Sequence, residues 1–228
     1  MKKRVLVFIC LLAAFAGGSI AISDPTQIGI ASLQQAQVQQ KEDPDLLFTL
    51  GLAYLRAGRY QEALDPLEKA ARLNPQKPEI QFHLGQAYGA LGRHQVKIEA
   101  LQKTLRLDPA YPWANLKLGL AYAALGHHQE AMEYYRKAIE RKPENPEAHY
   151  YLALSYFLTF RYKEAIPPIQ TALRLKPDHA ESHYALGMTY LKLGQFKKAA
   201  PHLQKALNLK PNLPELKSSQ GVPTLVQF

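Results

Sequence analysis

The chain has 228 residues, of which 47% are hydrophobic and 21% charged, and this balance excludes a disordered or collagen-like protein. Its length leaves little room for a second, appended enzyme. The formal net charge is +9, but Lys2, Lys3 and Arg4 supply part of it. Cys10 is the single cysteine and lies in the apolar N-terminal run, so loss of that run would exclude disulfides, cysteine-ligated zinc and a cysteine nucleophile.

Residues 1–23 have the pattern of a secretory signal peptide. A basic start over residues 1–4 precedes an uncharged apolar run over residues 5–16, and residues 19–21 offer the small side chains that a signal peptidase accepts. The apolar run is shorter than the about 20 residues of a stable transmembrane helix. We therefore expect an exported protein, periplasmic or secreted. The alternative is an uncleaved segment that tethers the protein to the membrane.

A 34-residue period organises most of the remaining chain. A small residue recurs at this step, with a leucine directly before it, a tyrosine three residues after it and a proline that closes each period. The small residues are Gly51, Gly85, Gly119, Ala153 and Gly187, and the tyrosines are Tyr54, Tyr88, Tyr122, Tyr156 and Tyr190. Because these residues stay in register over five periods, they indicate repeated structural units. We call each set of equivalent residues a column.

Each period has the spacing of two helices. In the first repeat, Leu50, Gly51 and Tyr54 lie on one face of a first helix, and Ala63 and Leu67 lie on one face of a second. A loop that usually contains glycine separates the two helices, and the proline ends the second. We expect a helical hairpin in which the small residue faces an alanine of the second helix, so that the backbones approach closely. Those alanines are Ala63, Ala131, Ala165 and Ala199.

These columns resemble the tetratricopeptide repeat family. The resemblance implies an all-α protein, a right-handed α-solenoid superhelix of five antiparallel helix-turn-helix units whose first helices line a concave face. The five repeats are residues 44–77, 78–111, 112–145, 146–179 and 180–213.

Two repeats depart from the pattern. In the second repeat, Lys97 and Thr104 replace alanines of the second helix, and we expect looser packing there. In the fourth repeat, Phe160 replaces the glycine between the helices, and we expect an atypical turn.

The two ends need cover, because a hairpin array exposes apolar surface wherever it stops. Residues 24–43 are predicted to form an N-terminal capping helix, since Ile30, Leu33 and Ala36 occupy the positions of a second helix. Residues 214–228 read as a truncated C-terminal cap and a tail. Either this tail covers the last hairpin, or the uncovered edge forms a homodimer.

The resemblance also implies that two columns of the first helices point into the concave face. They are Phe48, Phe82, Leu116, Tyr150 and Tyr184, followed by Leu52, Gln86, Leu120, Leu154 and Met188. Family members that hold a C-terminal carboxylate use asparagine in the second of these columns, which is mostly aliphatic here. We therefore expect an apolar groove for a peptide or helix segment of a partner protein. The alternative is that the aromatic column packs against neighbouring helices.

Basic charge is concentrated in the last third of the chain. Residues 22–159 carry 15 positive and 15 negative side chains, whereas residues 160–217 carry 10 and 4. This excess suits contact with an anionic surface such as lipid headgroups, an acidic polymer or an acidic protein. A solvated basic face without a partner is the alternative.

The sequence contains no phosphate-binding loop, nucleophile elbow or paired-carboxylate motif. His149 and His183 share a column, but no carboxylate or cysteine completes a ligand set, so neither a metal nor a cofactor is expected. Nucleic-acid binding is not expected either. These patterns favour a non-catalytic protein-protein interaction scaffold or adaptor of the cell envelope. A structural subunit that self-associates through its C-terminal edge is the alternative.

Overall fold

The computed structural model describes residues 25–39 and 42–211, and within these ranges all regular secondary structure is helical. The helices are α1 (Pro25–Gln39), α2 (Pro44–Arg56), α3 (Tyr60–Leu73), α4 (Pro78–Ala90), α5 (His94–Leu107), α6 (Ala114–Ala124), α7 (His128–Arg141), α8 (Pro146–Leu158), α9 (Tyr162–Leu175), α10 (Ala180–Lys192) and α11 (Phe196–Leu209). None of the helices in these ranges is long and apolar enough to span a membrane. The predicted signal segment and C-terminal tail lie outside the described residues.

Local sequence signals set the ends of the helices. Asp43 caps α2 by accepting hydrogen bonds from the amides of Asp45 and Leu46, at 2.9 and 3.2 Å. Proline occupies the first turn of α2, α4 and α8, where its missing amide costs no hydrogen bond. Gly58 follows α2 with a φ of 71°, and the next amide, of Arg59, returns to the carbonyl of Tyr54 at 2.9 Å.

The turn of the fourth repeat keeps this geometry without glycine. Phe160 takes a φ of 62°, and the amide of Arg161 returns to the carbonyl of Tyr156 at 2.9 Å, as in the first repeat. The expectation of an atypical turn was therefore wrong. Because a bulky side chain in the left-handed region is strained, the departure appears as local backbone strain and not as a new turn. The ring of Phe160 is 74% exposed.

Close contact across each hairpin explains the column of small residues. A Cβ added at Gly51 would lie 2.5 Å from Cγ and Cδ2 of Leu67, and one added at Gly119 would lie 2.5 Å from Cε1 of Tyr135. The glycines therefore oppose the large residues of the second helix, whereas we had expected them to oppose alanines. The alanine Ala63 is fully buried four residues before Leu67.

The second repeat accommodates its two unusual residues in different ways. Thr104 is fully buried, and its hydroxyl donates to the carbonyl of Ala100 at 3.0 Å. The side chain of Lys97 lies beside Gly89, where a Cβ would be 2.7 Å from Cδ of the lysine. Both departures are thus accommodated by local contacts.

The tyrosine column joins successive hairpins. Each of four tyrosines makes a hydrogen bond to the residue 20 positions earlier, on the preceding second helix. The pairs are Gln34 Nε2 to Tyr54 at 2.7 Å, Tyr88 to Glu68 at 2.7 Å, Gln102 Nε2 to Tyr122 at 3.0 Å, and Arg136 Nη2 to Tyr156 at 2.9 Å. Since Gln34 belongs to α1, this helix takes the place of a second helix before the first repeat.

Contacts between hairpins differ on the two sides of the array. Successive first helices contact one another, α2 with α4, α6 with α8 and α8 with α10. Comparable contacts between successive second helices are not found in the described part of the chain. First helices that lie close together and second helices that spread apart curve the array, and the first helices form its inner side.

The contact at Gly119 predicts that Gly119→Ala destabilises the protein. The added methyl group would meet the fully buried ring of Tyr135, which has no room to move aside. We expect the free energy of unfolding, measured with denaturant at pH 7, to fall by about 1–3 kcal/mol.

Gly85→Ala is the matched control, because its methyl group would lie 3.2 Å from Cγ of Leu101. We expect a much smaller change there, partly offset by the better helix propensity of alanine. Equal losses in the two variants would contradict the proposed contact.

Candidate functional site

The ten residues predicted to face a groove lie on the first helices, two on each, but they differ in exposure. Gln86 is exposed, and five side chains are partly exposed: Phe48, Leu52, Tyr150, Tyr184 and Met188. The other four, Phe82, Leu116, Leu120 and Leu154, are buried. We refer to the inner side formed by these helices as the first-helix face.

The middle of the first-helix face is filled by the protein's own side chains. Leu120 is 9% exposed and Leu154 is 4% exposed, although both were expected to offer open apolar surface. Leu116 and Leu120 belong to one buried cluster with Tyr135. The ring of Phe82 packs against that of Tyr111, with centroids 5.0 Å apart. In the middle repeats, therefore, Phe82, Leu116, Leu120 and Leu154 are buried among the protein's own side chains, whereas Gln86 is exposed and Tyr150 is partly exposed.

The two ends of the first-helix face remain more open. Phe48 and Leu52 on α2, and Tyr184 and Met188 on α10, keep part of their apolar surface accessible. The ammonium of Lys77 lies 5.1 Å from the centroid of the Phe48 ring, a cation–π distance. Apolar side chains that the repeat packing leaves partly uncovered are where a partner segment would gain most by burial.

A cleft that the sequence did not reveal lies in the second repeat. It has a volume of about 540 Å³ and is lined mainly by α4, α5 and α6, with Leu55 of α2 and Tyr60 of α3 at its edge. Its polar lining includes Gln86, His94, Lys97 and Lys117. The replacement of alanine by Lys97 was the signal in the sequence, but we read it as loosened packing.

A second cleft, of about 350 Å³, lies beside Trp113. Trp113 directly precedes α6 and takes a φ of 65°. Its side chain is 48% exposed, and the ammonium of Lys142 lies 4.8 Å from the ring centroid. At the position equivalent to Trp113, directly after the proline, three other first helices carry an acidic residue: Asp45, Glu79 or Glu147. A carboxylate there stabilises the helix through its dipole.

Comparison with known proteins agrees with this architecture. The family described as Tetratricopeptide repeat matches residues 26–78 and 48–112. The family described as Anaphase-promoting complex, cyclosome, subunit 3 matches residues 121–206. The solved structure of MamA 41-end from Desulfovibrio magneticus RS-1 is similar with a TM-score of 0.70 and 26% identity, over 74% of this chain and 96% of that one. The chain is a tetratricopeptide repeat protein.

Two further structures share its fold. MamA AMB-1 is 27% identical with a TM-score of 0.65, over 74% of this chain and 92% of that one. YrrB, described as a TPR protein with an unusual peptide-binding site, is 21% identical with a TM-score of 0.68, over 80% of this chain and 94% of that one. No curated protein gives a significant match. The expected fold, an all-α tetratricopeptide repeat solenoid, is confirmed.

In this tetratricopeptide repeat protein, the histidine column has structural contacts. Nε2 of His149 lies 2.8 Å from the carbonyl of Pro143, and Nε2 of His183 lies 2.9 Å from that of Pro177. Each histidine thus donates to the proline that ends the preceding second helix. No group of three or more histidine, cysteine or acidic side chains in the described ranges is arranged to hold a metal ion.

The basic excess of the last tetratricopeptide repeats is partly paired. Arg161 contacts Glu164, Lys205 lies 3.1 Å from Asp178, and Lys210 lies 3.1 Å from Glu181. Lys163, Lys197 and Lys198 are exposed on α9 and α11. Contact of this region with an anionic surface stays a prediction.

His183 and His202 join α10 and α11. Their Nδ1 atoms are 3.1 Å apart and their rings are stacked, with centroids 5.4 Å apart. Because Nε2 of His183 donates to Pro177, Nδ1 of neutral His183 accepts and His202 donates to it. Burial, and then the neighbouring His183, lower the pKa of His202, so folding favours the neutral form of this imidazole.

The lowered pKa of His202 predicts a loss of stability in mild acid. Near pH 6.5 the unfolded chain binds a proton at this histidine and the folded chain does not, so the free energy of unfolding falls as the pH decreases from about 7 toward the lowered pKa. His202→Phe keeps a ring but cannot titrate. We expect its melting temperature to vary less between pH 7 and pH 5 than that of the unmodified protein. Identical pH dependence in the two proteins would contradict this assignment.

Proposed function

We propose that this tetratricopeptide repeat protein is a non-catalytic scaffold that binds a segment of a partner protein on its first-helix face. The observation that carries the proposal is the partly exposed apolar surface at both ends of that face, contributed by Phe48 and Leu52 on α2 and by Tyr184 and Met188 on α10. These side chains are held by rigid helices, so a partner would meet a preformed surface. The proposed partner contact is therefore at the two ends of the predicted groove and not along its whole length.

The peptide-binding site named in the description of YrrB supports this proposal as an analogy of fold. A solenoid suits the role because each hairpin adds a further section of the same inner surface. An extended or helical segment could contact several repeats at once, burying apolar side chains against the partly open positions.

The proposed location is the cell envelope or the outside of the cell. It depends on the signal-like pattern of residues 1–23, which lie outside the described residues. The mass of the mature protein, measured after expression in a bacterial host, would show whether this segment is removed.

The open ends of the face predict that Met188→Lys and Leu52→Lys weaken partner capture. Both positions are partly exposed, so the charge remains solvated while the apolar contact is lost. We expect at least tenfold less crosslinked partner in the native envelope, measured by mass spectrometry, with unchanged far-ultraviolet circular dichroism.

Val96→Lys is the matched control, because Val96 is exposed on the second helix α5. It should capture the same partner as the unmodified protein. If Met188→Lys and Leu52→Lys also captured it fully, the first-helix face would not be the binding surface. Leu120 and Leu154 are unsuitable for this test because lysine at a buried position would destabilise the fold.

A second candidate function is self-association through the C-terminal edge. It is favoured by the last described helix, α11, where Phe196 is 69% exposed and Leu207 and Leu209 are also exposed. Within the described part of the chain, α11 packs mainly on α10. A structural subunit would bury this edge against a second copy.

Light scattering with size exclusion would separate the two functions. Self-association predicts a dimeric mass for the full mature chain and a monomeric mass after Leu207→Glu. If deletion of residues 214–228 instead converts a monomer into a dimer, the tail covers the edge and the structural function is excluded for the full chain. A monomer in every case excludes it as well.

A further inference from the structure

Lys97 occupies a position that the other four repeats keep fully buried and small. The equivalent residues are Ala63, Ala131, Ala165 and Ala199, all 0% exposed. Lys97 instead carries a four-carbon stem and an ammonium group from the second helix α5 toward the first helices. A residue of this size fits only if the opposite helix leaves room for it.

Gly89 leaves that room. A Cβ at Gly89 would lie 2.7 Å from Cδ, 3.1 Å from Cε and 3.2 Å from Nζ of Lys97. The other first helices have a side chain at this position, and these residues are Leu55, Ala123, Phe157 and Leu191. Gly89 and Lys97 are therefore a matched pair, and together they place a cation in the cleft of the second repeat.

Within residues 25–39 and 42–211, no acidic side chain pairs with this cation. Neither Lys97 nor Lys117, the other lysine of the cleft, forms an ion pair among the described residues, and no carboxylate lines the cleft. Burial, and then the charge of Lys117, lower the pKa of Lys97. Holding two cations close together without a counter-charge costs free energy that a bound anion would recover.

Other polar groups of the cleft also lack partners. Nδ1 of His94 is buried and has no hydrogen bond. The side-chain oxygen of Gln86 lies 2.8 Å from Nδ1 of His83, which leaves the amide nitrogen of this exposed glutamine available as a donor. Nδ1 of His128, at the equivalent position of the third repeat and outside this cleft, is unpaired in the same way, so the cleft is distinguished by its two lysines and not by this atom.

The remaining lining restricts the kind of anion. Leu55, Leu101 and Leu120 form apolar walls, and no arginine lines the cleft. Without a guanidinium fork, the two lysines would act on an anion as point charges, so the apolar walls and not the cations decide which anion fits. Apolar walls beside the charge suit aliphatic groups that flank the carboxylate in a peptide.

We propose that this cleft binds a carboxylate presented by an apolar peptide segment, with Lys97 as the central cation and Lys117 beside it. The proposal rests on the proposed function, because it assumes that a protein segment lies on the first-helix face. It assigns that partner an acidic side chain that reaches the second repeat.

Two peptides that differ only in charge test this site in the full mature protein. Acetyl-Leu-Glu-Leu-amide and acetyl-Leu-Gln-Leu-amide would be titrated at constant ionic strength, with affinity measured from backbone amide chemical shifts. We expect the acidic peptide to bind at least tenfold more tightly, and to shift amides of α4, α5 and α6.

Lys97→Ala should remove this preference. It should also unfold at the same temperature as the unmodified protein or higher, because alanine is the residue of the other four repeats and the partly buried cation is lost. Lys103→Ala, on the same helix but outside the cleft lining, should keep the preference.

Chemical modification of the unmodified protein also tests whether the acidic peptide binds at Lys97. The acidic peptide should slow acetylation of Lys97 by acetic anhydride, followed by mass spectrometry, and leave Lys103 unaffected. Equal binding of the two peptides, no binding of either, or an unchanged preference in Lys97→Ala would overturn the proposal. Stronger protection by inorganic phosphate than by the acidic peptide would also overturn it, in favour of a phosphoryl ligand.

The groove and the carboxylate site can fail separately. If Met188→Lys loses partner capture while Lys97→Ala retains both capture and peptide preference, the scaffold function stands and the carboxylate site is excluded. If both variants still capture the partner, the first-helix face is not the binding surface, whatever the short peptides show.

Discussion

The close approach of the two helices in each hairpin is the constraint on which the rest of the structure depends. At Gly51 and Gly119 the opposing side chains, Leu67 and Tyr135, already occupy the space that a methyl group would need. This contact fixes how the helices of a pair lie together, and the tyrosine hydrogen bonds then connect one pair to the next. Because interiors are close-packed, a repeated local contact sets the curvature of the whole array.

The period made the fold predictable, since a constant step of leucine, small residue, tyrosine and proline specifies both the hairpin and its stacking. The same regularity misled us about the candidate site. Leu120 and Leu154 were placed on an open face because of their column, but burial depends on what the neighbouring repeats supply. A column gives the direction of a side chain, whereas exposure depends on three-dimensional neighbours that one sequence does not contain.

Departures from the period had different outcomes that the sequence could not distinguish. Phe160 replaced a glycine and kept the turn at the cost of a strained backbone, while Thr104 found a carbonyl within its own helix. Lys97 needed a second change, at Gly89, on the opposite helix. Considering Lys97 alone predicted looser packing, because the compensating Gly89 lies eight residues away in the chain and across the hairpin.

A compensating change on the opposite helix distinguishes a candidate binding site from a substitution that the fold merely tolerates. A strained turn at Phe160 costs stability locally, and nothing around it supplies new chemistry. The pair of Gly89 and Lys97 instead opens space and fills it with a charge that has no counter-charge in the described chain. In a repeat protein most positions of a column maintain the fold. A binding site can therefore arise at the few positions where residues of both helices depart from the repeat pattern together. In this protein that happens in the second repeat, beside the face on which a partner is proposed to lie.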